Sequence, residues 1–264
     1  MQDNRWSSVT ALRVGCALAV LAVLTAACKG RGASRADRDD DDDEQHAAAP
    51  VAAAAATGVT QAATEVIARG RVIWTFDSSA AGAAPHGFSF GRTGSGRVGQ
   101  WVVRSAPDAP SAPNVLAQED SDRTDYRFPV AVADSLLFGD VSVSVRCKPV
   151  SGHVDQACGI VWRYQDQNNY YLARANALED NVRLYYVKDG RRIQTAGWNG
   201  KVRSGAWHEL RVDMRVDRIE VSFDGKQVIQ ARDSKFTAPG KVGVWTKADS
   251  HTLFDDLTAA PLEP

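Results

Sequence analysis

Trp245, Lys247 and Asp249 stand at alternate positions near the C-terminal end of the chain. On an extended strand, alternate residues share a face. An indole, an ammonium and a carboxylate placed this way could stack a ring, stabilise an anion and take up a proton. A second set lies upstream: Trp162-Arg163-Tyr164, then Asp166, Asn169, Tyr170, Arg174 and Asn176, with Asn181 and Arg183 just beyond. Aromatic faces stack on the C–H surfaces of a sugar ring, and amides and guanidiniums hydrogen-bond its hydroxyls. Arg174 and Asn176 also share a face by alternation, so these residue types point to a polyhydroxylated ligand in one open, ring-lined trough. Plainer roles stand beside this one. Lys247 and Asp249 would also make a surface ion pair, Trp162 shares parity with Ile160 and would also pack a core, and Arg174 would also strap a neighbouring Asp.

Some chemistry is excluded. Retaining glycoside hydrolysis uses two carboxyl groups about 5 Å apart. A Glu-x-Asp-x-x-Glu run on one strand would supply them, and none occurs; Glu209-Leu-Arg-Val-Asp213 has the wrong spacing. No histidines are spaced as a metal pair, and His208 shares the parity of Leu210 and Val212, as a hydrogen-bonded core histidine does. Gly91-Arg-Thr-Gly-Ser-Gly96 lacks the Lys-Ser/Thr of a phosphate cradle. Asp77, with Asp255 and Asp256, could hold a structural Ca²⁺ between the first and last strands, or could simply stand exposed. No other cofactor is called for.

The elements that must position these residues are strands. Val141–Arg146, Trp207–Val216 and Ile219–Phe223 alternate apolar and polar residues, as half-buried antiparallel strands do. Asp189-Gly190 and Asp224-Gly225 are type I′ hairpin turns by composition. Further strands are expected at Val72–Phe76, Gln100–Arg104, Arg127–Val132, Val242–Thr246 and His251–Leu257. An Ala-rich stretch around residues 60–69 is the one helix candidate. Many short strands with turns between them predict an all-β fold, a sandwich or barrel. Cys147 shares parity with Val145, and Cys158 with Ile160. Both should face the same way on consecutive strands, as a disulfide or as two buried thiols.

The chain has 264 residues, 31 basic and 32 acidic, for a net charge of −1. That balance argues against nucleic acid as a partner. Arg5 and Arg13 precede an uncharged stretch, Val14–Ala27, too short for a bilayer span of about 20 residues. It ends Leu24-Thr-Ala-Ala-Cys28, similar to a bacterial lipobox, so residues 1–28 read as a signal peptide with Cys28 as the lipidated residue. Thr25 stands where an aliphatic residue is usual, and a plainly secreted protein or a retained anchor are the alternatives. Residues 29–69, with the run Asp39–Glu44 and no aromatic residue, read as a disordered tether. The whole is expected to be an exported monomer, periplasmic or on the cell surface, touching the membrane only through its lipid.

The run Trp162–Asn181, followed by Trp207-His208, Asp224-Gly225 and Trp245–Asp256, resembles bacterial concanavalin A-like (LamG-type) jelly-roll domains. In particular it resembles the 3-keto-disaccharide hydrolase group, often called family-16-like. The likeness covers roughly residues 70–260. It implies an antiparallel two-sheet jelly-roll sandwich. It also implies a reaction in which a sugar ketone acidifies the adjacent C–H, so that cleavage proceeds by proton abstraction, β-elimination and hydration. Asp249 or Asp166 would then be the base, Lys247 or Arg174 would stabilise the enolate, and Trp245, Tyr170 and Trp162 would stack on the substrate. The same superfamily includes non-catalytic glycan-binding modules and structural envelope domains, and these remain alternatives.

Overall fold

The computed structural model describes residues 66–67 and 69–262. The expected signal peptide with Cys28, and nearly all of the expected tether, lie outside these residues. In chain order the strands begin β1 (Val66–Ile67), β2 (Val72–Trp74), β3 (Phe88–Gly94), β4 (Trp101–Ser105), β5 (Asn114–Gln118) and β6 (Arg127–Ala133). There follow β7 (Leu136–Leu137), β8 (Val141–Ser151), β9 (Ala157–Asp166), β10 (Asn169–Asn176), β11 (Asn181–Lys188) and β12 (Arg191–Asn199). The last are β13 (His208–Arg215), β14 (Arg218–Phe223), β15 (Lys226–Arg232), β16 (Lys241–Trp245) and β17 (His251–Pro261). Among the described residues there is no helix. Val66–Ile67, inside the Ala-rich helix candidate, instead pair in parallel with Leu136–Leu137.

Two antiparallel sheets make the body. One has seven strands in the order β12-β11-β10-β9-β16-β6-β3; the other runs β15-β14-β13-β8-β17-β5-β4, with β2 also paired to β17. Both predicted hairpin turns form. Asp189 and Gly190 have φ of 52° and 78°, and Asp224 and Gly225 have 48° and 77°, the left-handed pair that a type I′ turn requires.

Alternation sets the interior. On β13, His208, Leu210, Val212 and Met214 are buried while Arg211 and Arg215 are exposed. The inner face of the eight-stranded sheet, with Val143, Val145, Leu210, Val212 and Val221, packs against Ile160, Trp162, Tyr171, Ala173 and Leu184 of the seven-stranded sheet. A second apolar cluster covers the other face of the seven-stranded sheet. It contains Phe128, Val130, Tyr170, Leu172, Tyr185, Val187 and Trp245.

Cys147 and Cys158 form a disulfide with Cα atoms 6.2 Å apart. They do not bridge one hairpin, as consecutive strands would suggest. β8 belongs to one sheet and β9 to the other, so the bond crosses the interior between them. Replacing both cysteines by alanine should lower the unfolding free energy by about 3 kcal/mol, from the chain entropy of so short a loop. Urea denaturation of the double variant checks this; an unchanged midpoint would show that the bond does not form.

Candidate functional site

Most of the chemistry-bearing residues lie on the outer face of the seven-stranded sheet. Register aligns Trp245 with Gly159, Gly159 with Arg174, Arg174 with Arg183 and Arg183 with Gly197. The two glycines in this row make room for flat side chains. A Cβ on Gly159 would lie 3.1 Å from the Trp245 ring, and one on Gly197 would lie 2.7 Å from the Arg183 side chain.

At one end of the face is a buried polar cluster. The Arg174 guanidinium donates to Asn181 Oδ1 at 2.5 Å and to Tyr185 Oη at 3.1 Å, and pairs with Glu179 at 2.8 Å. Asn181 Nδ2 also donates to Glu179, at 3.0 Å. Asn176 Nδ2 donates to Asp155 Oδ1 at 2.9 Å, and the other oxygen of Asp155 lies 3.5 Å from Lys247 Nζ. Lys247 reaches outward to Asp125 as well, at 2.9 Å. Burial pushes the Asp155 carboxyl up to about 6, against the pull of Arg174 and Lys247. Burial acts on Glu179 in the same direction and is the largest single influence, but Arg174, the Asn181 amide and Lys247 together outweigh it and hold that carboxyl below its usual range. The arrangement therefore pairs one proton-accepting carboxylate with two cations.

Asp249 has a different job from the one its position in sequence suggested. β16 ends at Trp245, and Ala248 has a left-handed φ of 46°, so alternation does not carry on to Lys247 and Asp249. The Asp249 carboxylate turns inward and accepts the backbone N–H groups of His153, Val154 and Asp155 at 2.9, 2.9 and 3.2 Å. Burial opposes its ionisation, but these donors more than compensate and lower its pKa. It anchors the loop that carries Asp155. As a base it is already committed to donors.

Other expected site residues separate from this cluster. Trp162 lies on the inner face, stacked on Tyr171 with ring centroids 5.4 Å apart, and its Nε1 donates to Met214 Sδ at 3.0 Å. It packs the core and cannot meet a ligand. Arg163, at φ 44°, straps two loops through Phe236 O at 2.5 Å and Asp140 Oδ1 at 3.1 Å. Tyr170 is fully buried, its Oη 2.7 Å from Thr93 Oγ1. Arg183 Nη1 donates to Asn199 Oδ1 at 2.7 Å, beside the edge strand. Asp77 accepts the Asn114 N–H at 3.0 Å, while Ser111 donates to Asp255 and Asp256 at 2.8 Å each. All three carboxylates thus tie down one loop, and among the described residues no group of three or more His, Cys, Asp or Glu is arranged to hold a metal ion.

Tyr164, Asp166 and Asn169 sit together at the opposite end of the face. With Phe90, Gln167, Asn168 and Asp189 they line an open recess of about 580 Å³. Asp166 accepts from the Asn168 N–H at 2.7 Å and from Asn169 Nδ2 at 3.0 Å, while Asn169 Oδ1 accepts the Asp189 N–H at 3.1 Å. Two turns, at Asp166–Asn169 and Asp189-Gly190, thereby hold amides and carboxylates around Phe90 and Tyr164. The middle of the face is not the open trough expected from the sequence: Trp245, Tyr170 and Tyr185 are each at most 1 % exposed. Asp155, Glu179, Tyr185 and Arg192 complete the face without having been singled out. An Asp inside a turn, 94 residues from the carboxylate that anchors it, carries no local signal.

Asp155 predicts a pH effect with a definite sign. Its folded pKa, about 6, lies above the usual 3.8, so the folded chain holds the extra proton between these values. Stability from this group is then greatest in acid and falls as pH rises through that window. Asp155→Asn, compared with wild type by urea denaturation, should gain in relative stability from pH 4 to 6.5 and level off above. A difference that stays constant across the window would contradict the burial of an ionisable carboxylate there.

No family model and no curated protein matches the chain. Solved structures do. The carbohydrate binding module CBM66 from Bacillus subtilis is 18% identical, with TM-score 0.54, covering 66% of this chain and 95% of its own. The VIP36 exoplasmic/lumenal domain, in a Ca²⁺/Man-bound form, is 12% identical, with TM-score 0.52, covering 74% and 90%. At such identities the likeness speaks to architecture. With two stacked antiparallel sheets in hand, the domain is a concanavalin A-like jelly-roll sandwich.

Proposed function

We propose that this is an exported carbohydrate-binding domain that takes a sugar in the recess at the Asp166–Asn169 turn. The observation that carries this reading is the lining. Phe90, 37 % exposed, and Tyr164 offer ring faces, and Asp166, Gln167, Asn168, Asn169 and Asp189 surround them with donors and acceptors. Apolar C–H faces ringed by hydroxyls need that mixture. The recess is open, so a ligand reaches it without moving the chain. The two structural relatives, one described as a carbohydrate binding module and the other in a mannose-bound form, support the same class of ligand. Export is supported by the Val14–Ala27 stretch and by the disulfide, and lipid anchoring at Cys28 by the residues before it. The domain acts as a monomer held to the membrane by that lipid.

A second reading, hydrolysis of 3-keto-disaccharides, is favoured by one specific observation. Asp155, its carboxyl pushed up to about 6 by burial, lies 3.5 Å from Lys247 and in the field of Arg174, a base and cations of the kind β-elimination requires; it is 1 % exposed, so a substrate must first displace the side chains that cover it. Titration calorimetry against glucose-, mannose- and arabinose-based oligosaccharides should give saturable binding to wild type. Tyr164→Ala should weaken it at least 10-fold. No binding by wild type, or undiminished binding by Tyr164→Ala, would sink the recess as the site. Incubation with a 3-keto-disaccharide and product analysis separates the two readings. Turnover that Asp155→Asn abolishes would support the hydrolase, and binding without turnover the module.

A further inference from the structure

Phe128 on β6 and Tyr185 on β11 are separated within their sheet by β16, β9 and β10. On a flat sheet, strands four places apart stand about 19 Å from each other. Yet the centroids of both rings lie 4.6 Å from the same atom, the Cζ of Arg192. The sheet curls, the rings lean inward, and its outer face becomes a slot whose two aromatic walls close on one guanidinium. Arg192 reaches in from the edge strand β12 and is half-buried.

The hold on this guanidinium is incomplete. Its Nε and Nη1 are buried with no hydrogen-bond partner. A buried donor without an acceptor is unfavourable, and stacking on the two rings offsets only part of that. Two neighbours are in the same state. Arg174 Nε, on a guanidinium whose Cζ is 5.7 Å from the Tyr185 ring, and Gln194 Oε1, on the same side of β12 as Arg192, are both buried and unpartnered. The slot thus has two ring faces, with unused donors and an acceptor on the side chains around them. It also adjoins the recess. The Gly190 N–H donates to Asn168 O at 3.1 Å, Tyr126 Oη donates to Gly190 O at 3.1 Å, and the Arg192 N–H donates to Tyr126 Oη at 2.9 Å.

We propose that the slot between Phe128 and Tyr185 is a second sugar-ring site, continuous with the recess, and that Arg192 fills it in the ligand-free chain. This rests on the carbohydrate reading above. The ligand is an uncharged oligosaccharide of two or more rings. Its first ring sits in the recess, and the next replaces the guanidinium between the aromatic walls, its hydroxyls meeting Arg174 Nε and Gln194. Withdrawal of Arg192 leaves Asp155 and Glu179 balanced by Arg174 and Lys247, which favours a neutral ring over an acidic one. Arg192 is therefore the residue that sets the length of chain accepted.

The test is calorimetric titration of wild type and Arg192→Ala with glucose-, mannose- and arabinose-based oligosaccharides of one to four rings. Emptying the slot should leave affinity for single rings unchanged and raise affinity for longer chains at least 10-fold. Adding Phe128→Ala should remove that gain. Methylguanidinium at millimolar concentration should refill the slot in Arg192→Ala and return its affinity to the wild-type value, with no effect on wild type. Arg192→Lys, which keeps the charge but loses the plane, guards against misfolding of the alanine variant and should show an intermediate gain. Equal affinities at every length in wild type, Arg192→Ala and Arg192→Lys would overturn the slot while leaving the recess intact if Tyr164→Ala still weakens binding at least 10-fold. Binding of longer chains by Arg192→Ala alone, with none by wild type, would keep the slot and remove the recess as a sufficient site. No binding by any variant would overturn both.

Discussion

The middle strands of the seven-stranded sheet bury side chains on both faces, and only one of those faces has another sheet to cover it. On β10 every residue from Tyr170 to Asn176 is buried, and on β9 every residue from Ala157 to Arg163. The inner face rests on the eight-stranded sheet. The outer face must be closed by its own side chains and by the segment before β6. Flat and long residues do this: Trp245 lies across Gly159, Arg183 across Gly197, and Arg192 between two rings. Arg127, with no exposed surface, ties the covering segment down by donating to Arg97 O at 2.7 Å and Ala248 O at 2.5 Å.

Covering a sheet with guanidiniums brings charge indoors, where each cation needs a partner. The chain meets that need unevenly. Arg174 is held by Glu179, Asn181 and Tyr185, while Asp155 has a long contact to Lys247 and an oxygen without a hydrogen bond. Buried ion pairs contribute little net stability against apolar residues of the same shape, but they fix geometry. Here the geometry fixed is that of the Asp155 loop, set by three N–H donors into Asp249. The polar groups left under-satisfied concentrate on this one face, which is where a ligand's hydroxyls would complete them.

The sandwich was legible because the eight-stranded sheet has a wet face. Along β8, β13 and β14 apolar and polar residues alternate cleanly, and the two Asp-Gly turns announced their hairpins. The site was less legible for the same reason in reverse. Where both faces are buried, alternation separates two sets of residues without saying which is the core, and Trp162 fell on the inner set with Ile160. Alternation counted on from Trp245 puts Lys247 and Asp249 on one face, but the strand ends at Trp245, and a left-handed Ala248 cannot be read from an alanine. Arg192 carries no local signal, because its role depends on Phe128 and Tyr185, brought to it by curvature.

The bond between Cys147 and Cys158 pins the curled sheet at β9, near its centre. β12 is one rim, paired on a single side, and the other rim is β3. The crosslink thus joins the two sheets where both are already covered, and the strand that carries Arg192 depends instead on one ladder to β11 and on packing against β15.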